Sequence, residues 1–376
     1  MAENEQEITE SQENFSGDNI YGRHRFTPER AKEHVEGLIN DFQEYYSSRG
    51  YREEPSVKIS SGIDPTVRFI GSHISVFKPY LAQDTVPNPG LYMRQNCLRT
   101  RNAGRLLDDE FSPAWGSFFT SIGALSAPDR LDAATAESLS FFENQLGIDR
   151  QHILLRINSQ DQDLMEAVRR YYPEDQLEVD SRPPQYYQHD IGMEGISGRN
   201  FNIALRNPSG EGFSDVGNVI VLESPQKPLG IEIALGTSTI LKQLYSLEHV
   251  QDCAPVIGLR APNEAIRRKF EDAITTSTVL YEEGLRPLGN NNRNRILKQY
   301  VRALSYFRAK SDMRFAELTQ IMTEFEQRQF EPSETTAPII AEFVQAYERD
   351  LLSREDLTED EQKIKAALES SGVLNG

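Results

Sequence analysis

Two cysteines, Cys97 and Cys253, are all that this chain of 376 residues contains, too few for a disulfide framework. Its six histidines are scattered without metal-ligand spacing, so no structural zinc is expected. Long apolar runs are missing as well. None approaches the about 20 residues of a membrane span, and Met1–Asn19 is polar and acidic, unlike a signal peptide. Positive charge is scarce: 40 Lys and Arg stand against 58 Asp and Glu, a net charge of −18. That balance disfavours a non-specific polyanion binder but leaves room for a local basic face. Internal repeats are absent too. These absences describe a cytosolic protein with no membrane partner.

What is present suffices for two domains with their own cores, in 42.7 kDa at a mean hydropathy of −0.56. Residues 1–22 hold almost no apolar side chains and read as a disordered acidic tail. Thr27 followed by Pro28 marks a helix start, and Ala31, Val35, Leu38, Ile39, Phe42 and Tyr46 form an amphipathic stripe behind it. From Pro55 to Ser126 short apolar runs alternate with turn signals, a spacing that predicts antiparallel strands. A helix over 129–147, a strand over 152–157 and a helix over 162–172 follow. Apolar runs at Val219–Leu222 and Gly230–Leu235 predict two more strands, with a helix from Ile240. Beyond Cys253 strand signals vanish. Helical patterns run over 265–283, 295–309, 315–330, 338–352 and 359–368, the last opened by a capping box at Thr358–Glu361. The expected domains are 23–254 and 255–376.

Within this frame stand Asp64-Pro65-Thr66, Phe77-Lys78-Pro79-Tyr80 and Cys97-Leu98-Arg99, preceded by Arg49-Gly50-Tyr51 and Pro55-Ser56. Their order and spacing resemble the catalytic domain of alanyl-tRNA synthetase, a class II aminoacyl-tRNA synthetase, over roughly residues 29 to 310. The resemblance implies an α+β fold, with a class II antiparallel sheet flanked by helices and then an all-helical tRNA-recognition domain.

It also implies a site. Arg99 matches the second-motif arginine that clamps the amino-acid carboxylate and the α-phosphate, a task for a planar forked donor. Phe118 and Phe119 match a pair of which one phenylalanine stacks on adenine. Asn218 matches an asparagine of the nucleotide site, Tyr187 an aromatic of the amino-acid pocket, and Glu232 the aspartate that holds the substrate amino group. The third-motif arginine, which meets the terminal phosphate of ATP, is replaced by Thr239, with Lys242 one helical turn on as a possible substitute. Threonine supplies no forked cation, so ATP chemistry is in doubt.

For tRNA, Arg101 and Arg105 fall in the loop that approaches the acceptor end. Asn291, Arg293, Arg295, Lys298 and Arg302 fall in the segment that approaches the acceptor stem. Between Arg260 and Arg314 twelve Lys and Arg stand against six Asp and Glu, a stripe suited to phosphates. The resemblance thus implies ATP with Mg2+, a small amino acid and an alanine-type tRNA as partners. Three activities fit these residues: an alanine-tRNA ligase, a pseudo-synthetase that binds tRNA without ATP chemistry, and a paralogue that passes an activated amino acid to another acceptor.

Overall fold

The computed structural model describes residues 20–23 and 26–372. The segment expected as a tail therefore lies outside the described residues up to 19. Within its last residues Tyr21 is packed: its ring meets His152 edge-on, and its hydroxyl donates to the Arg206 carbonyl.

The centre is a nine-stranded sheet, mostly antiparallel. In chain order the elements are α1 (Ala31–Ser47), β1 (Arg52–Glu53), α2 (Ile74–Gln83), β2 (Gly90–Leu98), β3 (Phe118–Ser126), α3 (Leu131–Ser140), β4 (Ile153–Ile157), α4 (Gln162–Arg169), β5 (Leu177–Val179), β6 (Gln188–Asp190), β7 (Ser197–Arg206), β8 (Phe213–Glu223), β9 (Pro228–Gly236) and α5 (Thr237–Tyr245). The strands lie in the order β1-β2-β3-β9-β8-β7-β4-β5, with β6 on β7. Only the β1–β2 and β4–β5 pairs are parallel. A helical region follows: α6 (Glu264–Glu282), α7 (Asn292–Lys310), α8 (Phe315–Phe330), α9 (Ala337–Ser353) and α10 (Glu359–Ser370). The expected α+β architecture, an antiparallel sheet flanked by helices and followed by helices alone, is the one observed.

Successive residues of a strand face opposite sides, so the register sorts the two faces. Tyr92, Ala124, Ile233, Val219 and Phe201 lie in one row across β2, β3, β9, β8 and β7. All are buried against the stripe of α1 that includes Leu38, Ile39 and Phe42. The opposite face carries Gln95, Ser121, Gly123, Glu232, Asn218, Asn202 and Asn200. One face is wholly core; the other is divided between these polar residues and a smaller apolar cluster under α2.

Two expectations change. Residues 57–70 are not a strand, and the Phe77–Tyr80 segment is helical. Val76, Phe77 and Leu81 recur at helical spacing and pack α2 on Leu91, Met93, Ile220 and Leu222. Pro79 is tolerated inside α2, where it lacks the N–H that would bond the Ser75 carbonyl. Side chains replace the missing ladder of 57–60. The Gln95 amide accepts from Val57 N at 2.9 Å and donates to Val57 O at 2.8 Å, and the Glu283 carboxylate accepts from Ser60 N at 2.9 Å.

The helical region does not stand apart from the sheet. Its core, built on Phe270, Ile274, Tyr300, Leu304 and Phe325, takes in Ile59, Phe69, Leu98, Ala103 and Leu106 from the first half of the chain. Composition changes near residue 255, but the packed interior runs through.

Candidate active and RNA-binding site

Three layers converge on the polar face. The lowest is a lock between loop and helix. The Asp64 carboxylate accepts from Thr66 N at 3.0 Å, Ser75 Oγ at 2.7 Å and Lys78 Nζ at 2.6 Å. These bonds to the carboxylate hold its pKa below the usual carboxylate range against the opposing effect of burial. The Asp-Pro-Thr and Phe-Lys-Pro-Tyr segments are thus two halves of one buried knot that seats α2.

The middle layer was not legible in the sequence. His73, at the N-terminus of α2, is 0% exposed. Its Nδ1 lies 2.8 Å from Ser121 Oγ, and its Nε2 lies 3.0 Å from Glu232 Oε1. The imidazole fits because position 123 is glycine: a Cβ there would come 2.1 Å from Nε2. Glu232 is itself 2% exposed; its carboxylate lies against the His73 ring, whose Nε2 makes no hydrogen bond among the described residues. His189 extends the cluster, with Nε2 3.4 Å from Asn218 Nδ2. Burial lowers the pKa of His189, which favours the neutral ring.

The upper layer is open. Arg99, just beyond the end of β2, donates from Nε to the Gly71 carbonyl at 2.9 Å, and its guanidinium carbon sits 4.9 Å from the centre of the Phe119 ring. No carboxylate among the described residues is ion-paired with Arg99, which leaves its terminal nitrogens for an anion. Phe119 lies on the polar face beneath Arg99. Phe118 does not. It turns to the other side and packs edge-on against Phe330, 6.3 Å between centroids, in the core of the helical region. That corrects the expectation for Phe118, because adjacent strand residues cannot share a face. Tyr187 is buried against Tyr186 at 5.0 Å, and Asn218 is half-buried on the polar face.

Thr239, in the first turn of α5, donates from Oγ1 to the Gly236 carbonyl at 2.8 Å. It serves the helix start, and no cation is bonded to it among the described residues. A cleft beside it is lined by Phe119, Thr237, Ser238, Gln251, Glu271 and Asp272. Both carboxylates there are committed. Asp272 accepts from Ser117 N at 2.6 Å and Asn102 Nδ2 at 2.9 Å, and Glu271 is ion-paired with Arg267 at 2.7 Å and with Arg268 at 3.2 Å.

The residues expected to meet RNA divide. Arg101 is exposed and without an ion-pair partner among the described residues. Arg105 is paired with Asp108 at 2.9 Å and lies over Phe111. Asn291 is the N-cap of α7, its Oδ1 accepting from Asn294 N at 2.8 Å, so this oxygen is engaged in the helix start. Arg293 donates from Nε to the Arg68 carbonyl at 2.6 Å, and Lys298 donates to the Gly289 carbonyl at 2.9 Å. Arg302 lies over the Tyr347 ring at 5.1 Å, and Arg295 is exposed. The basic stripe is smaller than its count. Arg267, Arg268 and Arg308 are held in internal ion pairs, so they are structural cations.

Comparison with known proteins came out as follows. No protein-family model matches the chain. It is 23% identical over 312 residues to an alanine–tRNA ligase of Rubrobacter xylanophilus, an alignment that takes in 69% of this chain and 35% of the relative. The chain thus spans about a third of the length of that relative. Among solved structures it is similar to the apo histidyl-tRNA synthetase of S. aureus (13% identity, TM-score 0.38, 59% of this chain and 73% of that one). The asparaginyl-tRNA synthetase of Pyrococcus horikoshii gives 10% identity, a TM-score of 0.34, and coverage of 61% and 67%. Among the described residues no three His, Cys, Asp or Glu are grouped to hold a metal, and no helix is long and apolar enough to cross a membrane.

Proposed function

We propose that this chain is an aminoacyl-tRNA-synthetase-like protein that binds tRNA and has lost efficient adenylate formation. The observation that carries the reading is the His73–Glu232 contact at 3.0 Å, with both side chains buried. A substrate ammonium needs an accessible carboxylate, and this one is buried with the His73 ring standing against it. Thr239 adds a second obstacle, because it is no forked cation and none is bonded to it among the described residues where phosphoryl charge would be stabilised. Nor do the residues fit Mg2+. The Glu232 carboxylate is buried beside the His73 ring, and Asn202 and Asn218 offer only neutral oxygens.

Support for tRNA as the partner is the exposed Arg99, Arg101 and Arg295 and the half-buried Arg293, together with similarity to an alanine–tRNA ligase. An alanine-type acceptor stem is the first candidate. A second reading, favoured by the free Arg99 guanidinium over Phe119, is the ligase itself: ATP-dependent activation of alanine or another small amino acid and transfer to tRNA.

Amino-acid-dependent ATP–pyrophosphate exchange, run with alanine, glycine, serine and a wider panel, separates the two. The proposal expects no exchange, together with salt-sensitive binding of an alanine-tRNA acceptor hairpin that weakens on Arg293→Ala. Exchange with one amino acid, abolished by Arg99→Ala, would establish the ligase instead. If the hairpin does not bind, the tRNA reading fails.

A further inference from the structure

We infer that Trp115 is a stacking platform for an unpaired base of an RNA end, an inference that rests on the tRNA reading above and adds a residue to it. Trp115 is the only tryptophan of the chain, and it is 60% exposed. An indole left in water forfeits the burial that makes tryptophan a strong contributor to cores and interfaces. A loose loop would explain such exposure, but this loop is held.

The backbone on either side of the ring is pinned at three points. The Pro113 carbonyl lies 3.0 Å from His249 Nε2. The Trp115 carbonyl accepts from Asn102 Nδ2 at 2.8 Å, and the same nitrogen donates to the buried Asp272 carboxylate at 2.9 Å. Ser117 N donates to Asp272 at 2.6 Å, and Ser117 Oγ reaches Tyr300 at 2.7 Å. Asp272 therefore fixes both strands of the loop at once. The ring is presented by a rigid mount, which lowers the ordering cost of binding.

Its surroundings select the occupant. Arg99 N donates to the Ser117 carbonyl at 2.9 Å, so Arg99 and Arg101 run alongside the segment that bears Trp115. Of the arginines in 86–107, Arg94 is paired with Glu36 and Arg105 with Asp108, so Arg99 and Arg101 are the two beside the ring without an ion-pair partner among the described residues. Cations tracking a backbone beside an exposed aromatic ring are the two parts of single-stranded nucleic-acid recognition. An apolar protein partner would have no use for the arginines. A folded duplex keeps its bases stacked and has only its end to offer.

The lone tryptophan is its own reporter. The experiment titrates the full chain with an acceptor hairpin bearing an unpaired 3′ tail, and with the same hairpin whose tail is abasic and keeps only its phosphates. The expected result is strong quenching of tryptophan fluorescence by the first RNA and little by the second. In anisotropy measurements with labelled RNA, Trp115→Ala should weaken the tailed hairpin about 5- to 100-fold, the scale of one base stack, and leave the abasic hairpin unchanged. Trp115→Phe should keep most of the affinity. Equal quenching by both RNAs, or wild-type affinity in Trp115→Ala, overturns the inference while leaving tRNA binding intact. A fluorescence change that follows protein concentration without RNA also overturns it, since a second copy of the chain then covers the ring. If neither RNA binds the wild type, the tRNA reading has failed, and the stacking role with it.

Discussion

His73 occupies the space above Gly123 that any other residue at that position would need. The ring atoms lie 2.1–2.6 Å from where a Cβ would stand, and His73 is held there by its hydrogen bond with Ser121 Oγ. Gly123→Ala should therefore destabilise the fold by about 1–3 kcal/mol, the usual scale of overpacking a filled interior. Urea denaturation checks this. His73→Ala in the Gly123→Ala background should recover part of the loss, because the clash goes with the ring. Strictly additive effects would contradict the contact.

A pH dependence is built into the helical region. Glu282 at the end of α6 is exposed, yet partial desolvation, and then the neighbouring Glu326 carboxylate, push it up to about 7, with Arg286 opposing them. Glu326 is committed elsewhere, accepting from Thr336 N at 2.7 Å and Ala337 N at 3.0 Å at the start of α9. In the unfolded chain Glu282 loses its proton near pH 4.3, whereas the folded chain keeps it until about 7. The folded state then binds more protons between those values, so stability falls as pH rises through that window. The contribution is complete below the unfolded pKa and gone above the folded one. Melting temperatures from pH 4 to 8 should fall more steeply for the wild type than for Glu282→Gln. Parallel curves would refute the carboxyl contact.

Helix α10 offers a local test of sequence reading. Thr358 accepts from Glu361 N at 3.3 Å, and the Glu361 carboxylate accepts from Thr358 N at 3.0 Å. Thr358→Ala should cost about 1 kcal/mol, as loss of an N-cap does. Thr358→Asp, which keeps an acceptor, should cost less. Chemical denaturation of both variants measures the difference.

That cap was legible because its signal is local, and so were the helices. Phe315–Phe330 begins and ends where the periodicity placed it, and Val219–Leu222 and Gly230–Leu235 are the apolar centres of β8 and β9. Residues 57–83 were misread because their short apolar runs fit strand and helix templates alike. Packing on β2 and β8 chose the helix. The candidate site was only half legible. Arg99 and the Phe118–Phe119 pair were singled out by their motif neighbours, with no signal of which phenylalanine would face Arg99. His73 was not, because a lone histidine before an apolar stretch carries no signal until sheet register sets it beside Glu232. Arg308 was counted as surface charge, yet it lies buried against Glu348 on α9, a pairing that no short-range pattern announces.

The two obstacles to adenylate formation are separable by mutation. Thr239 sits in the first turn of α5 with its hydroxyl on the Gly236 carbonyl, so an arginine there would extend from a fixed helix start. A cation alone is not enough, because the His73 ring still stands against the buried Glu232 carboxylate. Removing His73 alone opens the space at the carboxylate but supplies no charge for the phosphates. Each single variant, Thr239→Arg and His73→Ala, should therefore remain silent in alanine-dependent ATP–pyrophosphate exchange. The double variant should show exchange that requires Arg99. Such non-additivity is expected of groups that act as one unit. A single variant that exchanges as fast as the double one would mean that only that position blocks the chemistry. A silent double variant that still binds the acceptor hairpin would place the loss elsewhere on the polar face, with Asn202 and Asn218, both neutral, as the next positions to change.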